Sequence, residues 1–146
     1  MLTLTVAQDL KDAGLAWQPT VLDFFTLPME GFTDQVFVIN NMTIMAEPIR
    51  GKLAITFHGT VEWALDHIFV TEVVWIPRED QLREMLEERL LGENQPALVL
   101  GTTQFGYRCD IHYRGESLSF EDFSASGAYA SALLFVLNPR RRGSMA

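Results

Sequence analysis

The chain has 146 residues, 48% of them hydrophobic, with ten Phe and three Trp. That length suits one domain burying about two-thirds of its unfolded surface, and the composition is too apolar for a disordered chain. Net charge is −8, and Arg140, Arg141 and Arg142 supply three of the eleven basic residues, so the rest of the chain sets eight basic residues against nineteen acidic ones. A body so acidic repels phosphate backbones, and nucleic-acid binding is not expected. No run approaches eighteen uncharged apolar residues, so no membrane-spanning helix is expected. The N-terminus "MLTLTVAQDLKDAG" lacks a basic segment and predicts no signal peptide. A single cysteine, Cys109, excludes an internal disulfide and fits a reducing cytoplasm.

Thr5 followed by Gln8 reads as a capping box opening a helix over "VAQDLKDA", which Gly14 ends. "TVLDFFTL" (20–27) is rich in β-branched and aromatic residues and reads as a strand stopped by Pro28. "QVFVIN" and "MTIMAEPI" flank Asn40–Asn41 and predict a hairpin, since Asn tolerates positive φ. "RGK" (50–52) makes the next turn and "LAITF" the next strand, giving about four short strands between Thr20 and Phe57.

Thr60 reads as the N-cap of a helix carrying Glu62 in its first turn. "VVWI" is a short extended run, and Pro77 opens a second helix. Along that helix Leu82, Met85, Leu86 and Leu90 form one stripe, Glu79 and Arg83 form an i,i+4 pair, and Gly92 stops it. "ALVLGTT", "GYRCDIHY" and "ESLSFEDF" read as strands joined by turns at "QFG" and "RGE". Ser124 caps a last helix, "ASGAYASALLFVL", whose Ala128, Ala132 and Phe135 suit packing on a sheet.

Strands arrive in consecutive runs, which predicts an α+β fold with mainly antiparallel sheet and helices packed on its faces. Residues 1–139 are read as a single domain with a subdomain seam near 92–96. Residues 140–146 are read as a basic, disordered tail.

The stretches "LKDAGLAWQP", "FHGTVEWALD" and "VVWIPREDQLREML", in that order, resemble a group of small uncharacterised bacterial proteins, some labelled as pilus-assembly proteins. An ATPase of pilus assembly needs a phosphate-cradling G-x-x-x-x-G-K-[ST], and none occurs in the chain. The last third, "FGYRCDIHYRGESLSFEDFSASGAYASALLFVL", is similar to small phage ABA sandwich domains. That resemblance implies helices on both sides of an antiparallel sheet and no known activity. Neither resemblance brings a catalytic residue.

Cys109 and His112 are three apart on a strand and so face opposite sides, which predicts a buried thiol rather than a nucleophile with its base. One cysteine and three scattered histidines lack the paired spacing of a zinc site. There is no G-x-S-x-G, and the serines sit where turns and caps want hydroxyls. Asp110 and His112 share a strand face and read as a solvent-facing pair. On the Thr60 helix, Glu62 and Asp66 share one face, and Trp63 and His67 the adjacent one. Two like charges at that spacing repel unless a cation, an arginine such as Arg50 or Arg78, or a basic partner offsets them. His58 stands at a strand-to-helix corner, and Trp75 is read as a staple between the second helix and the core.

The candidate binding residues are therefore His58, Glu62, Trp63, Asp66, Trp75 and Arg78, with no catalytic residue, metal or cofactor. The expected function is a cytoplasmic, acidic, non-enzymatic binding or protein-interaction module. Its partner would be another protein or a second copy in a homodimer, with no nucleic acid and no membrane. The alternative is a small-molecule binder or weak hydrolase using the Glu62/Asp66 face with His58 or His67.

Overall fold

A computed structural model describes residues 1–32, 35–58 and 66–139. In chain order the elements are α1 (Leu4–Asp12), β1 (Phe24–Thr26), β2 (Phe37–Val38), β3 (Ile44–Ile49), β4 (Lys52–Phe57) and β5 (His67–Phe69). A 3₁₀ turn (Val70–Glu72), β6 (Val74–Ile76), α2 (Glu79–Arg89), β7 (Leu98–Thr103), β8 (Gly106–Tyr113), β9 (Glu116–Asp122) and α3 (Ala125–Leu137) follow. Among the described residues the strands form three antiparallel sheets of three strands each, and the fold is α+β. None of the helices described is long and apolar enough to cross a membrane.

The described residues divide into two compact units, one of residues 1–15 with 77–139 and one within residues 16–76. The loop 92–96, expected as a seam, lies inside the first of these. Its Glu93 carboxylate accepts the N–H of Arg114, in the β8–β9 turn, at 3.0 Å, and just after the loop the Ala97 carbonyl accepts the His112 N–H of β8.

In the first unit α3 is the organising element. Its mean composition is apolar on nearly every side, and Ala128, Tyr129, Ala130, Ala132, Leu133 and Val136 are all buried. A helix apolar all round must be covered all round. It packs on β8 and β9 and against α2 and α1. Leu82, Leu86 and Leu90 supply the buried stripe of the second helix, as the spacing predicts, and Ala7 and Leu10 that of the first. Ser124 caps α3, its Oγ accepting the Gly127 N–H at 2.9 Å. The cap of α1 is Thr3 rather than Thr5: the Thr3 hydroxyl accepts the Val6 N–H, and Gln8 instead donates to Asp12 one turn on. Pro77 precedes α2, whose N-cap is Arg78. Arg83 pairs with Glu87 one turn later, at 3.7 Å.

The second unit holds the sheets β2-β1-β6 and β3-β4-β5. Phe25, Leu27, Phe37, Ile39, Ile44, Ile55, Ile68 and Val73 form its core. The strand expected over 20–27 begins only at Phe24. Residues 20–23 are a turn instead: Asp23 N–H donates to the Thr20 carbonyl, Thr20 N–H donates to the Asp23 carboxylate, and Leu22 takes a φ of 76°. The hairpin expected about Asn40–Asn41 does not form between its two strands. The Asn40 Oδ1 accepts the N–H groups of Met42, Thr43 and Ile44, a side-chain-made turn that sends β2 to β1 and β3 to β4. Arg50 and Gly51, with φ of 53° and 80°, do make the tight β3–β4 turn.

Candidate functional site

The two-residue turn at Arg50–Gly51 fixes the β3–β4 register, pairing Ile49 with Lys52, Glu47 with Ala54 and Met45 with Thr56. Alternation then puts Glu47, Thr56 and His58 on the face opposite the Ile44–Ile55–Ile68 core. The Thr56 hydroxyl donates to Glu47 Oε2 at 2.5 Å. His58 Nε2 stands 2.9 Å from Thr56 Oγ1 and 3.3 Å from Glu47 Oε2. Nε2 is within hydrogen-bond distance of both oxygens, as donor or acceptor according to its tautomer. The Thr56 hydrogen bond, then the His58 hydrogen bond, hold the Glu47 carboxyl below its ordinary 4.5; burial opposes them, and the His58 charge adds a smaller lowering. The cluster joins a carboxylate, a hydroxyl and an imidazole on one exposed face of the sheet.

His67 sits across from Thr56 on β5, its ring edge-on to Phe69 at 5.5 Å. The helical face expected to join Asp66 with Glu62, and His67 with Trp63, therefore does not extend to Asp66 and His67. The Asp66 carbonyl accepts the Phe57 N–H, and pairing with β4 draws His67 into a strand. Glu62, Trp63 and the Thr60 cap lie outside the described residues.

Trp75 lies on β6 opposite Phe25 and stacks on Trp17 with ring centroids 6.2 Å apart. Its Nε1 is buried with no hydrogen-bond partner among the described residues. Arg78 starts α2, where its backbone N–H donates to Gln81 and its Nε to Asp80. His58 follows β4 and Trp75 lies on β6, in different sheets of one unit, while Arg78 belongs to the other unit. Glu47 and Thr56 are the partners the sequence reading missed. The signal was available, because a two-residue turn at 50–51 fixes which β3 and β4 residues face each other.

In the first unit Cys109 is fully buried and faces away from Asp110, as strand alternation predicts. Burial, then the neighbouring Asp110 charge, pushes its thiol up to about 12. On the open face of the same sheet Asp110 takes the Arg108 guanidinium and the Ser119 hydroxyl. His112 turns to Ser117, with Nδ1 3.5 Å from its Oγ. A shallow groove of about 390 Å³ runs over these side chains. Among the described residues no three of His, Cys, Asp and Glu are grouped to hold a metal.

The end of this sheet carries a feature of another kind. Phe105, in the β7–β8 turn, is 77% exposed, and Phe123, between β9 and α3, is 86% exposed. With Thr103, Glu121 and Asp122 they line a notch of about 220 Å³. Two glycines build this corner. At Gly106, φ is +153° and a Cβ would run into the Asp122 carbonyl and the Phe123 Cα. At Gly127 a Cβ would fall on the Asp122 carboxylate, which lies over the first turn of α3 and accepts the Ser124 N–H and O–H. Backbone and carboxylate close in, and Phe123 is left facing out. No protein-family model matches the chain, and neither a curated protein nor a solved structure matches it.

Proposed function

We propose that the protein is a non-enzymatic protein-interaction module that docks a partner on the Phe105–Phe123 corner. The observation that carries this is the pair of phenylalanines held out of the core around one notch. Each phenylalanine is worth roughly 1.5–3 kcal/mol when removed from water, so an isolated corner of this kind is a ready anchor. Its rim is acidic, with Glu121 and Asp122 beside the rings, on a chain of net charge −8. The fitting partner is a protein segment that offers an apolar side chain flanked by lysine or arginine.

Selection of displayed random peptides on the whole chain tests this. Peptides pairing basic with apolar residues should be enriched, and their affinity should fall about tenfold or more on Phe105→Ser/Phe123→Ser. Enriched peptides insensitive to both substitutions, or no enrichment at all, would overturn the proposal.

A second reading, small-molecule binding or weak hydrolysis near His58, draws support from the Glu47–Thr56–His58 hydrogen bonds. It predicts a discrete extra mass in the native mass spectrum that is lost on denaturation and absent from His58→Ala. A clean native mass removes it.

A further inference from the structure

The sheet of the first unit has two edges of opposite character. We infer that β7 is an interface for a second copy of this chain, pairing antiparallel with the other copy's β7 about a two-fold axis through Leu100.

The backbone decides which groups are free. His112 N–H donates to the Ala97 carbonyl, so that carbonyl and the polar groups of Val99, Gly101 and Thr103 turn toward β8. Leu98, Leu100 and Thr102 turn theirs away from β8, and those groups bond no other described residue. Natural edges are blunted by charge, proline or a covering element. The β9 edge is blunted: Glu116, Glu121 and Asp122 lie along it. The β7 edge, "LVLGTT", has no charge and no proline. The helices give little cover there, since α3 packs on β8 and β9. Leu98 and Leu100 remain only partly buried, and Val99 is 45% exposed.

Two copies of β7 complete each other. A two-fold pairing about Leu100 sets Leu98 against Thr102 of the other copy, and the free N–H and C=O groups of Leu98, Leu100 and Thr102 then bond reciprocally. Leu100 meets its own equivalent on the helix-side face. On the other face Val99 stands over Gly101 of the second copy, where nothing lies within 4 Å of the place a Cβ would occupy. The acidic β9 edges end up at the outside of the joined sheet, far from each other. A β9–β9 pairing would instead bring like charges together. This inference is independent of the Phe105–Phe123 corner, which lies beyond the strand.

Light scattering and native mass spectrometry of the whole chain provide the test, with circular dichroism to confirm folding. The wild type should be a dimer. Thr102→Pro removes an outward N–H without touching the β8 ladder, and Val99→Lys places a charge over Gly101 of the second copy. Each should raise the dimer dissociation constant about tenfold or more while the fold persists. Ser117→Pro, the matching change on the β9 edge, should leave the dimer intact. A wild-type monomer, a dimer indifferent to both β7 substitutions, or a dimer broken by Ser117→Pro overturns the inference.

Discussion

The indoles of Trp17 and Trp75 lie nearly parallel, 9° apart in plane, yet among the described residues only one N–H has a partner: that of Trp17 donates to the buried Asp23 carboxylate at 3.0 Å. Asp23 is 1% exposed and also accepts the Thr20 N–H. One carboxylate therefore fixes both a core tryptophan and the turn that feeds β1.

Asp23→Ala strands the Trp17 and Thr20 N–H groups and should cost about 3 kcal/mol in denaturant unfolding. Trp75→Phe removes an N–H with no partner among the described residues, and should cost less than Trp17→Phe. Equal losses for the two tryptophan substitutions would show that the Asp23 hydrogen bond contributes little.

Glu47 makes stability pH-dependent in a definite direction. Its carboxyl is depressed in the folded chain by Thr56 and His58, so the unfolded state binds its proton first as pH falls. The contribution is fully present above about pH 4.5 and disappears as pH drops through the folded value. Glu47→Gln should flatten the melting-temperature profile below about pH 5, relative to wild type. An unchanged slope would mean that the His58 and Thr56 contacts are too weak in solution to matter.

Gly106→Ala forces a Cβ into the Phe123 backbone at a positive φ, and should destabilise by about 2 kcal/mol or more. Gly101→Ala, in the same sheet but with open space at its Cβ position, should stay within about 1 kcal/mol. Thermal unfolding of the two variants side by side checks this, and comparable losses would contradict the close approach at the corner.

Cys109, raised to about 12 from an ordinary 9.0, holds about a thousandfold less thiolate than a free cysteine near pH 8. Its reaction with a thiol-specific disulfide reagent should be negligible in the folded protein and complete in denaturant. Prompt labelling of the native chain would place the thiol outside the α3–β8 core.

What the sequence made legible follows from where information is local. The last third was read almost element by element, because β8, β9 and α3 alternate or repeat cleanly and Ser124 caps where a serine should. Leu82, Leu86 and Leu90 announced their buried stripe by spacing alone. The segment 20–45 was misread because its pairing is decided by side chains acting on backbone. Asp23 curls the chain before Phe24, and Asn40 turns it so that β2 and β3 part company. Asp66 and His67 looked helical in isolation, but Asp66 lies in a bend and the ladder with β4 makes His67 extended. Of the candidate site, His58 was found and its partners Glu47 and Thr56 were not, since their meeting depends on a register set at Arg50–Gly51. Phe105 and Phe123 were invisible as a pair because neither is near the other in sequence.

Residues 16–76 leave the first unit after α1 and return to it just before α2. Within that excursion β1 and β6 lie side by side, Phe24 across from Ile76 and Thr26 across from Val74. The chain is thus a host with a guest whose own outgoing and incoming ends are zipped together. While the zip holds, the host sees only a short connection between its first two helices. Should the guest melt, the host sees a long loop instead, and lengthening a loop costs only about 0.6 kcal/mol per doubling. The host can therefore outlive its guest on heating, and its hydrogen-exchange protection should persist after that of 16–76 is lost.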